Sequence, residues 1–250
     1  KQILVQSNEN KIKLLCSTNK RFSSLCGNKN FMEGVYRQKV ENNISQDIID
    51  LKEPGMSWKD LYTRVINFKN APLSPDEYCK LGKLFEVKLY ANMQPPILPS
   101  FNGANLAAEH GKLDIIKYLD SIGILPTQQG ADAAAEHGHL ETLKYLVSLG
   151  ILPTNDGANH TARNGHLETL KYLVSLNILP SFLGANWAAE NGQLETLKYL
   201  VSLNILPTDD GAEWAANNGK LDILKYLASL NPPILATQIG ANFAASRGHL

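Results

Sequence analysis

The chain has 250 residues, of which 44% are apolar and 19% are charged, and its formal net charge at pH 7 is zero. This composition is that of an ordinary folded protein and excludes bulk disorder. No apolar run approaches the roughly 18 residues that a membrane span needs, and the start KQILVQSNEN lacks the apolar core of a secretory signal. The sequence therefore predicts an intracellular, cytoplasmic protein that contacts no membrane.

The charge is divided unevenly along the chain. Residues 1–70 contain 12 Lys or Arg against 7 Asp or Glu, whereas residues 71–250 contain 12 against 17. This difference predicts two modules. Because the basic residues are scattered and phosphate recognition needs a concentrated positive face, we also expect no nucleic-acid partner.

The three cysteines of the sequence are Cys16, Cys26 and Cys79. Their number is odd and no C-x-x-C spacing occurs, so the sequence indicates neither a disulfide framework nor a zinc site. We expect all three to be reduced structural thiols.

An internal repeat occupies most of the chain. Gly-Ala pairs begin at regular positions, with four intervals of 27 residues and a last interval of 29 that contains a two-residue insertion in the segment LNPPILAT. A period of this length predicts a stacked solenoid. The first residues of the six pairs are Gly103, Gly130, Gly157, Gly184, Gly211 and Gly240.

A degenerate repeat precedes the first Gly-Ala pair. Aligning Gly82 with Gly219 matches GKLFEVKLYANMQPPILPSFNGAN to GKLDILKYLASLNPPILATQIGAN without a gap. This match places the first repeat near Ser74, after a linker at about residues 70–75. The predicted domains are therefore residues 1–70 and residues 74–250.

Each repeat is predicted to contain two helices. In residues 130–156, an Ala-rich segment ends at Gly138, and a second segment from Leu140 to Leu149 has apolar residues at helical spacing, with Glu141 and Lys144 on its other side. Pro153 then prevents the helix from continuing. Because such a pair cannot bury its apolar faces alone, neighbouring copies must complete the core.

The helices resemble ankyrin repeats, in which segments such as AARNGHLEVVKLL occur; the counterpart here is TARNGHLETLKYL, residues 161–173. A leucine-rich repeat, which also suits this period, requires a strand with closely alternating leucines, and LETLKYLVSLN has helical spacing instead. The ankyrin motif T-P-L-H is absent and the period is below the usual length of about 33. The resemblance implies an all-α, ankyrin-like solenoid of six and a half shortened repeats without β-hairpin fingers.

The first 70 residues carry a second resemblance. The segment IKLLCSTNKRFSSLCGNKNFMEGVYRQKV, followed by SWKDLYTRV, is similar to the later helices of an F-box, with Met32 at the usual Trp position. The opening Leu-Pro motif of an F-box is absent. Shortened ankyrin repeats are typical of large DNA viruses of amoebae, so the combination implies a viral F-box and ankyrin-repeat protein, located in the host cytoplasm or the virion.

The chain begins without Met and ends at SRGHL, halfway through a repeat. We therefore expect a piece of a longer solenoid, whose last layer would leave an apolar face uncovered.

No catalytic constellation is apparent in the sequence. All six histidines lie in repeats, and His139, His166 and His249 occupy Gly-His-Leu turns, where hydrogen bonding between layers is the ordinary role. Glu141, Glu168 and Glu195 lie at the starts of helices, where a negative charge is favourable beside the positive end of the helix dipole. We therefore expect no enzyme activity, no metal and no cofactor.

Binding residues are predicted where the repeats vary. The residue that follows Gly-Ala-Asn, or its equivalent, is aromatic in the last three repeats, and the pair before the inter-helix glycine is polar. Large aromatic residues beside a polar rim are typical binding anchors; the alternative is that the aromatic residues pack between repeats. The predicted partner-binding residues are Trp187, Glu190, Asn191, Trp214, Asn217, Asn218, Phe243 and Arg247.

The predicted function is a non-enzymatic protein–protein interaction module with its partner in the concave groove. The F-box resemblance implies the substrate-recruiting part of a ubiquitin-ligase adaptor, which would contact a Skp-family protein through residues 1–50. The alternative is a structural or scaffold component of a viral particle or assembly.

Overall fold

The structure is a computed structural model that describes residues 1–18, 20–70 and 72–249, without the side chains of Lys20 and Arg21. Asn19 of the F-box-like segment, Ala71 of the predicted linker and Leu250 lie outside the described residues. Within these ranges every regular element is a helix, which confirms the predicted all-α helical-repeat fold. In the same ranges, no helix combines the length and the apolar character needed to cross a membrane.

The described ranges contain nineteen helices, most of them short. They are α1 (Gln2–Gln6), α2 (Glu9–Thr18), α3 (Lys20–Gly27), α4 (Lys29–Asn43), α5 (Gln46–Ile49), α6 (Trp58–Asn70), α7 (Pro75–Leu81), α8 (Leu84–Ala91), α9 (Phe101–Glu109), α10 (Leu113–Ser121), α11 (Gln128–Glu136), α12 (Leu140–Ser148), α13 (Asn155–Arg163), α14 (Leu167–Ser175), α15 (Phe182–Asn191), α16 (Leu194–Ser202), α17 (Asp209–Asn217), α18 (Leu221–Ala228) and α19 (Gln238–Ser246).

The chain forms two compact units. The first contains residues 1–78 and 83–98, and the second contains residues 79–82 and 99–250. The domain boundary predicted at residues 70–74 marks where the sequence repeats begin. That boundary stays a prediction. The division by packing falls later, after residue 98, except that residues 79–82 belong to the second unit.

Contacts within the first unit explain this later division. Arg64 of α6 donates two hydrogen bonds to the Glu86 carboxylate of α8, at 2.9 and 2.8 Å, and its guanidinium lies 4.5 Å from the Phe85 ring centroid. The Tyr90 hydroxyl also donates to the Leu73 carbonyl at 2.7 Å. These contacts bind α8 to α6 and to Leu73 in the segment that follows α6.

The N-terminal helices pack around a small core and contain a disulfide. Leu4, Ile12 and Val35 are buried, and Met32 packs against them. Cys16 of α2 and Cys26 of α3 form a disulfide with their Cα atoms 5.9 Å apart, within the range that a disulfide spans. The expectation of reduced thiols at these two positions is therefore wrong, because adjacent packing of α2 and α3 brings together two cysteines that no sequence motif links.

The second unit is a stack of helix pairs. The first helices are α9, α11, α13, α15, α17 and α19, and the second helices are α10, α12, α14, α16 and α18. Each second helix buries its apolar side, as Leu170 and Leu173 of α14 show with no exposure. The chain then turns through a left-handed residue, which is Gly150 in one repeat and Asn177 in the next, as expected at a helix C-terminus.

A ladder of polar side chains joins each first helix to the next. The side-chain oxygen of one Asn or Asp per repeat accepts a hydrogen bond from the backbone N–H of the Thr or Ser that caps the following first helix. This layer ladder consists of Asn105 to Thr127 (2.8 Å), Asp132 to Thr154 (2.6 Å), Asn159 to Ser181 (2.8 Å) and Asn186 to Thr208 (2.8 Å).

The glycine of each Gly-Ala pair is needed because the ladder brings two helices very close. A Cβ atom on Gly211 would lie 2.7 Å from the Asn186 side-chain oxygen and 3.0 Å from the Pro207 Cβ. The following alanine, Ala212, is fully buried. Only the smallest residues fit between neighbouring first helices.

The turn between the two helices of a repeat is also a contact between layers. Gly138 adopts a left-handed backbone with φ of 71°, and the ring of His166 from the next repeat packs against it, 2.5 Å from where a Cβ would lie. His139 packs in the same way on Gly111, and it hydrogen-bonds to the backbone of Glu109. The predicted interlayer role of the turn histidines is thus observed at His139.

The layer ladder predicts a specific loss of stability. Replacing Asn186, which is 1% exposed, by Ala removes the acceptor for the Thr208 N–H. We expect the free energy of unfolding to fall by about 1–3 kcal/mol, because the buried Asn186 makes two hydrogen bonds to Thr208 and each is worth roughly 0.5–1.5 kcal/mol. Urea denaturation followed by circular dichroism measures this. Asn242→Ala, at the equivalent but exposed position, is the control; equal losses in both variants would show that the ladder contributes nothing.

The turn histidines predict a loss of stability in acid. Burial, and then the charge of His137, lower the pKa of His139 and of His166; the Glu109 hydrogen bond opposes this at His139. Because the folded pKa lies below the ordinary value of 6.5, the neutral rings stabilise the fold above about pH 6.5, and this contribution is lost as the pH falls further. Between pH 7.5 and 5.5, we expect the free energy of unfolding to decrease more for the wild type than for H139Q/H166Q. Gln is chosen because Gln193 occupies the same turn position in another repeat. Parallel pH profiles would contradict this.

Candidate functional site

The candidate site is the exposed side of the first helices, which we call the first-helix face. In the fourth repeat it comprises Leu183, Trp187, Glu190 and Asn191, whose spacing places them on one side of α15. The opposite side of α15 is buried and consists of small residues such as Ala185 and Ala188. Side chains of the first-helix face are therefore the ones that can vary without disturbing the stack.

The predicted aromatic residues lie on this face. Trp187 and Trp214 are half-buried, and Phe243 is 55% exposed. Neither indole is enclosed completely between repeats, so each keeps an accessible surface. Their role in binding a partner stays a prediction.

Trp187 is held against two side chains of the preceding repeat. The His160 ring stacks on it with centroids 5.1 Å apart and planes inclined by 28°, and the Arg163 guanidinium lies 6.0 Å from its ring centroid. His160 Nδ1 in turn lies 3.8 Å from the nearer Glu136 carboxylate oxygen. Glu136, His160 and Trp187 thus lie next to one another across three successive repeats, and the stacked His160 ring restricts the orientation of the indole.

The predicted polar rim is partly engaged inside the protein. The Asn191 amide donates to the Trp187 carbonyl at 2.9 Å, and the Asn218 amide donates to the Glu190 carbonyl at 3.3 Å. These two residues therefore offer a ligand mainly their side-chain oxygens. Arg247 similarly donates to the Asn217 carbonyl at 3.5 Å.

Asn217 differs from its neighbours in the rim. Its side-chain oxygen is buried and has no hydrogen-bond partner in the described part of the chain. A buried acceptor without a donor is energetically costly. Because this oxygen is buried, it offers no hydrogen-bonding position to a ligand at the surface.

Several residues of this face were absent from the predicted site. Leu183 and Ile239 are exposed and lie four residues before Trp187 and Phe243, on the same side of their helices. His160 occupies the repeat position of Trp187 itself. Helical spacing could have identified Leu183 and Ile239, because a residue four positions before each aromatic residue lies on the same side of the helix.

The surface offers groups that are suited to binding a ligand. Within the described residues, no group of three or more His, Cys, Asp or Glu is arranged to hold a metal ion. The charged groups beside Trp187 and its stacked His160 are the Arg163 guanidinium, the Glu136 carboxylate and the Glu190 carboxylate, which follows Trp187 by three residues on α15. Such a face can bind through stacking, apolar contact and hydrogen bonds to carboxylate or amide oxygens.

Comparison with known proteins finds similarity at the level of solved structures. No family model matches the sequence and no curated protein is similar to it. The chain is similar in structure to the pentatricopeptide repeat protein PPR10 from maize, with a TM-score of 0.42 and 14% identity over 98% of this chain. It is also similar to PPR10 in complex with an 18-nt psaJ RNA element, with a TM-score of 0.36 and 12% identity over 98% of this chain.

The chain spans about half the length of these solved proteins or less, covering 47% of the first and 39% of the second. Neither is an ankyrin-repeat, F-box or viral protein, so those finer names rest on sequence resemblance alone. The expectation that nucleic acid is not a partner is contradicted, because one of these structures is itself a complex with RNA.

Proposed function

We propose that the second unit is a non-enzymatic binding module that holds a polypeptide segment on the first-helix face of its last three repeats. The observation that carries this proposal is the row of incompletely buried aromatic residues Trp187, Trp214 and Phe243 at one repeat position. Aromatic residues that keep accessible surface beside polar groups are typical anchors for a protein partner.

The size of the row suits a short extended peptide. Packed helices lie about 10 Å apart, so three successive repeats span roughly 20 Å. An extended chain rises about 3.3 Å per residue, so a segment of about six or seven residues reaches from Trp187 to Phe243. One side chain of the segment can then lie near each aromatic residue.

The polar groups near the aromatic row also suit a peptide. The carboxylates of Glu136 and Glu190 are acceptors for backbone N–H groups or for Lys and Arg side chains. The indoles accept cationic side chains on their faces. These features favour a segment with apolar and basic residues.

The proposal is tested by selecting binders from two libraries, one of random displayed peptides and one of random RNA. We expect the protein to enrich peptides whose binding weakens by at least about 30-fold in W187A/W214A, since one hot-spot residue contributes roughly 2 kcal/mol. Y199A/Y226A is the matched control, because it removes two aromatic residues from the second helices of the same repeats.

The outcomes separate the partner classes. Peptides that bind Y199A/Y226A but not W187A/W214A support the proposal. Enrichment of RNA that depends on the same two indoles would assign the face to nucleic acid instead. If neither library is enriched, or if both double variants bind alike, the first-helix face is not the site.

We further propose, from the F-box resemblance alone, that this module recruits substrates for a ubiquitin ligase. The Cys16–Cys26 disulfide lies in the F-box-like segment, and disulfides are rare in the cytosol, so this role requires the reduced pair. We expect the reduced protein to co-purify with a Skp-family protein. The W187A/W214A variant should co-purify with it equally well. Failure to co-purify in reducing conditions would reject the adaptor role and leave the binding module untouched.

A further inference from the structure

The turn that follows a second helix exposes a leucine in four successive layers. These residues, which we call the leucine row, are Leu125, Leu152, Leu179 and Leu206, and they are 39–47% exposed. Each precedes a buried proline, so the turn is anchored in the stack while its leucine stays in contact with solvent. All four turns lie between α10 and α17, before the last layer of the stack.

The four turns form one edge of the stack. The Gln128 side-chain amide, three residues after Leu125, donates a hydrogen bond to the Leu152 carbonyl at 3.2 Å, so one turn contacts the next. Packed helices lie about 10 Å apart, so the leucines recur along the edge at about that spacing. A second aliphatic residue, three positions before each leucine, is also partly exposed, as Leu176 is before Leu179.

The leucine is present in all four turns, although exposed residues beside it change. Three positions after the leucine, each layer has an exposed residue of a different kind. Exposed turn positions usually carry Gly, Pro, Asn, Asp or Ser. A leucine that recurs at such a position therefore indicates a contact made outside the stack. The changing residues are Gln128, Asn155, Phe182 and Asp209.

The edge carries no charge. The four turn segments, residues 121–127, 148–154, 175–181 and 202–208, contain no Asp, Glu, Lys or Arg. Phosphate recognition and attraction to an anionic membrane both need Lys or Arg, which this edge does not provide. Its aliphatic, uncharged character suits a protein surface of the same kind.

A second copy of the chain offers such a surface with matching periodicity. Its leucine row has the same spacing, and four evenly spaced residues have the same order from either end, so two rows can pair antiparallel about a two-fold axis. No like charges oppose one another in this pairing. Four turns about 10 Å apart and roughly 15 Å wide give about 600 Å² per copy, which is the lower end of specific interfaces.

We propose that the leucine row is the interface of a homodimer, in which the turns of two copies pack side by side in opposite directions. Leu152 of one copy then lies opposite Leu179 of the other. The contact does not use Trp187 or Trp214, so it is independent of the peptide site on the first-helix face.

Sedimentation equilibrium of the whole protein between about 1 and 500 µM tests the dimer. We expect a Kd of about 1–100 µM, because the interface is small. L152D/L179D should raise the Kd at least about 30-fold, since it places four carboxylates in the contact. L14D/L221D is the matched control, because Leu14 and Leu221 are 60% and 59% exposed and lie on α2 and α18, outside the turns.

A charge-exchange experiment tests whether row meets row. L152D/L179D and L152K/L179K should each be monomeric alone, and an equimolar mixture should form a heterodimer because Asp of one copy then faces Lys of the other. W187A/W214A should dimerise like the wild type. Circular dichroism establishes that each variant is folded.

Four results would overturn the proposal. The first is a wild type that is monomeric up to about 500 µM. The second is a dimer that L152D/L179D and L14D/L221D weaken equally, which places the contact elsewhere. The third is a mixture of the Asp and Lys variants that stays monomeric. The fourth is a monomeric wild type that floats with phosphatidylcholine vesicles when L152D/L179D does not, which assigns the row to a membrane.

Discussion

The close approach of neighbouring first helices is the constraint on which the repeat unit depends. At four junctions of the stack, the layer ladder joins the cap residue of a first helix to a side chain of the preceding first helix, and the Gly-Ala pairs leave room for that approach. A larger residue at Gly211 would push Asn186 off Thr208. The same hydrogen bonds satisfy backbone donors at a helix N-terminus that would otherwise lack partners, so packing and capping are achieved by one contact.

This constraint also decides where the chain can vary. Ladder, glycine and alanine positions face the neighbouring layer, and the second helices supply the apolar core, whereas the outer side of each first helix is free to change between repeats. At one such position the chain carries Leu106, Ala133, His160, Trp187, Trp214 and Phe243. The proposed peptide site is therefore a consequence of how the layers are assembled.

Local patterns predicted the helices well. The 3.6-residue apolar spacing of LETLKYLVS indicates which side of the helix is buried, and the glycines indicate where helices end. Features that depend on contacts between distant residues were not accessible. From the sequence, the asparagine of the Gly-Ala-Asn motif is only a difference from the ankyrin motif T-P-L-H. The structure shows its role, because the Asn159 side-chain oxygen accepts a hydrogen bond from the Ser181 N–H. Likewise Cys16 and Cys26 share no motif, and the engaged amides of Asn191 and Asn218 depend on carbonyl positions that no spacing reveals.

The identity of α12, α14 and α16 has a genetic consequence. Each boundary between these repeats presents the same second helix and a closely similar ladder contact on either side. Unequal recombination that removes or duplicates one 27-residue unit therefore joins surfaces that already fit, and the reading frame is kept. Such a gene can gain or lose layers, and with them single positions of the aromatic row, without having to acquire a new interface.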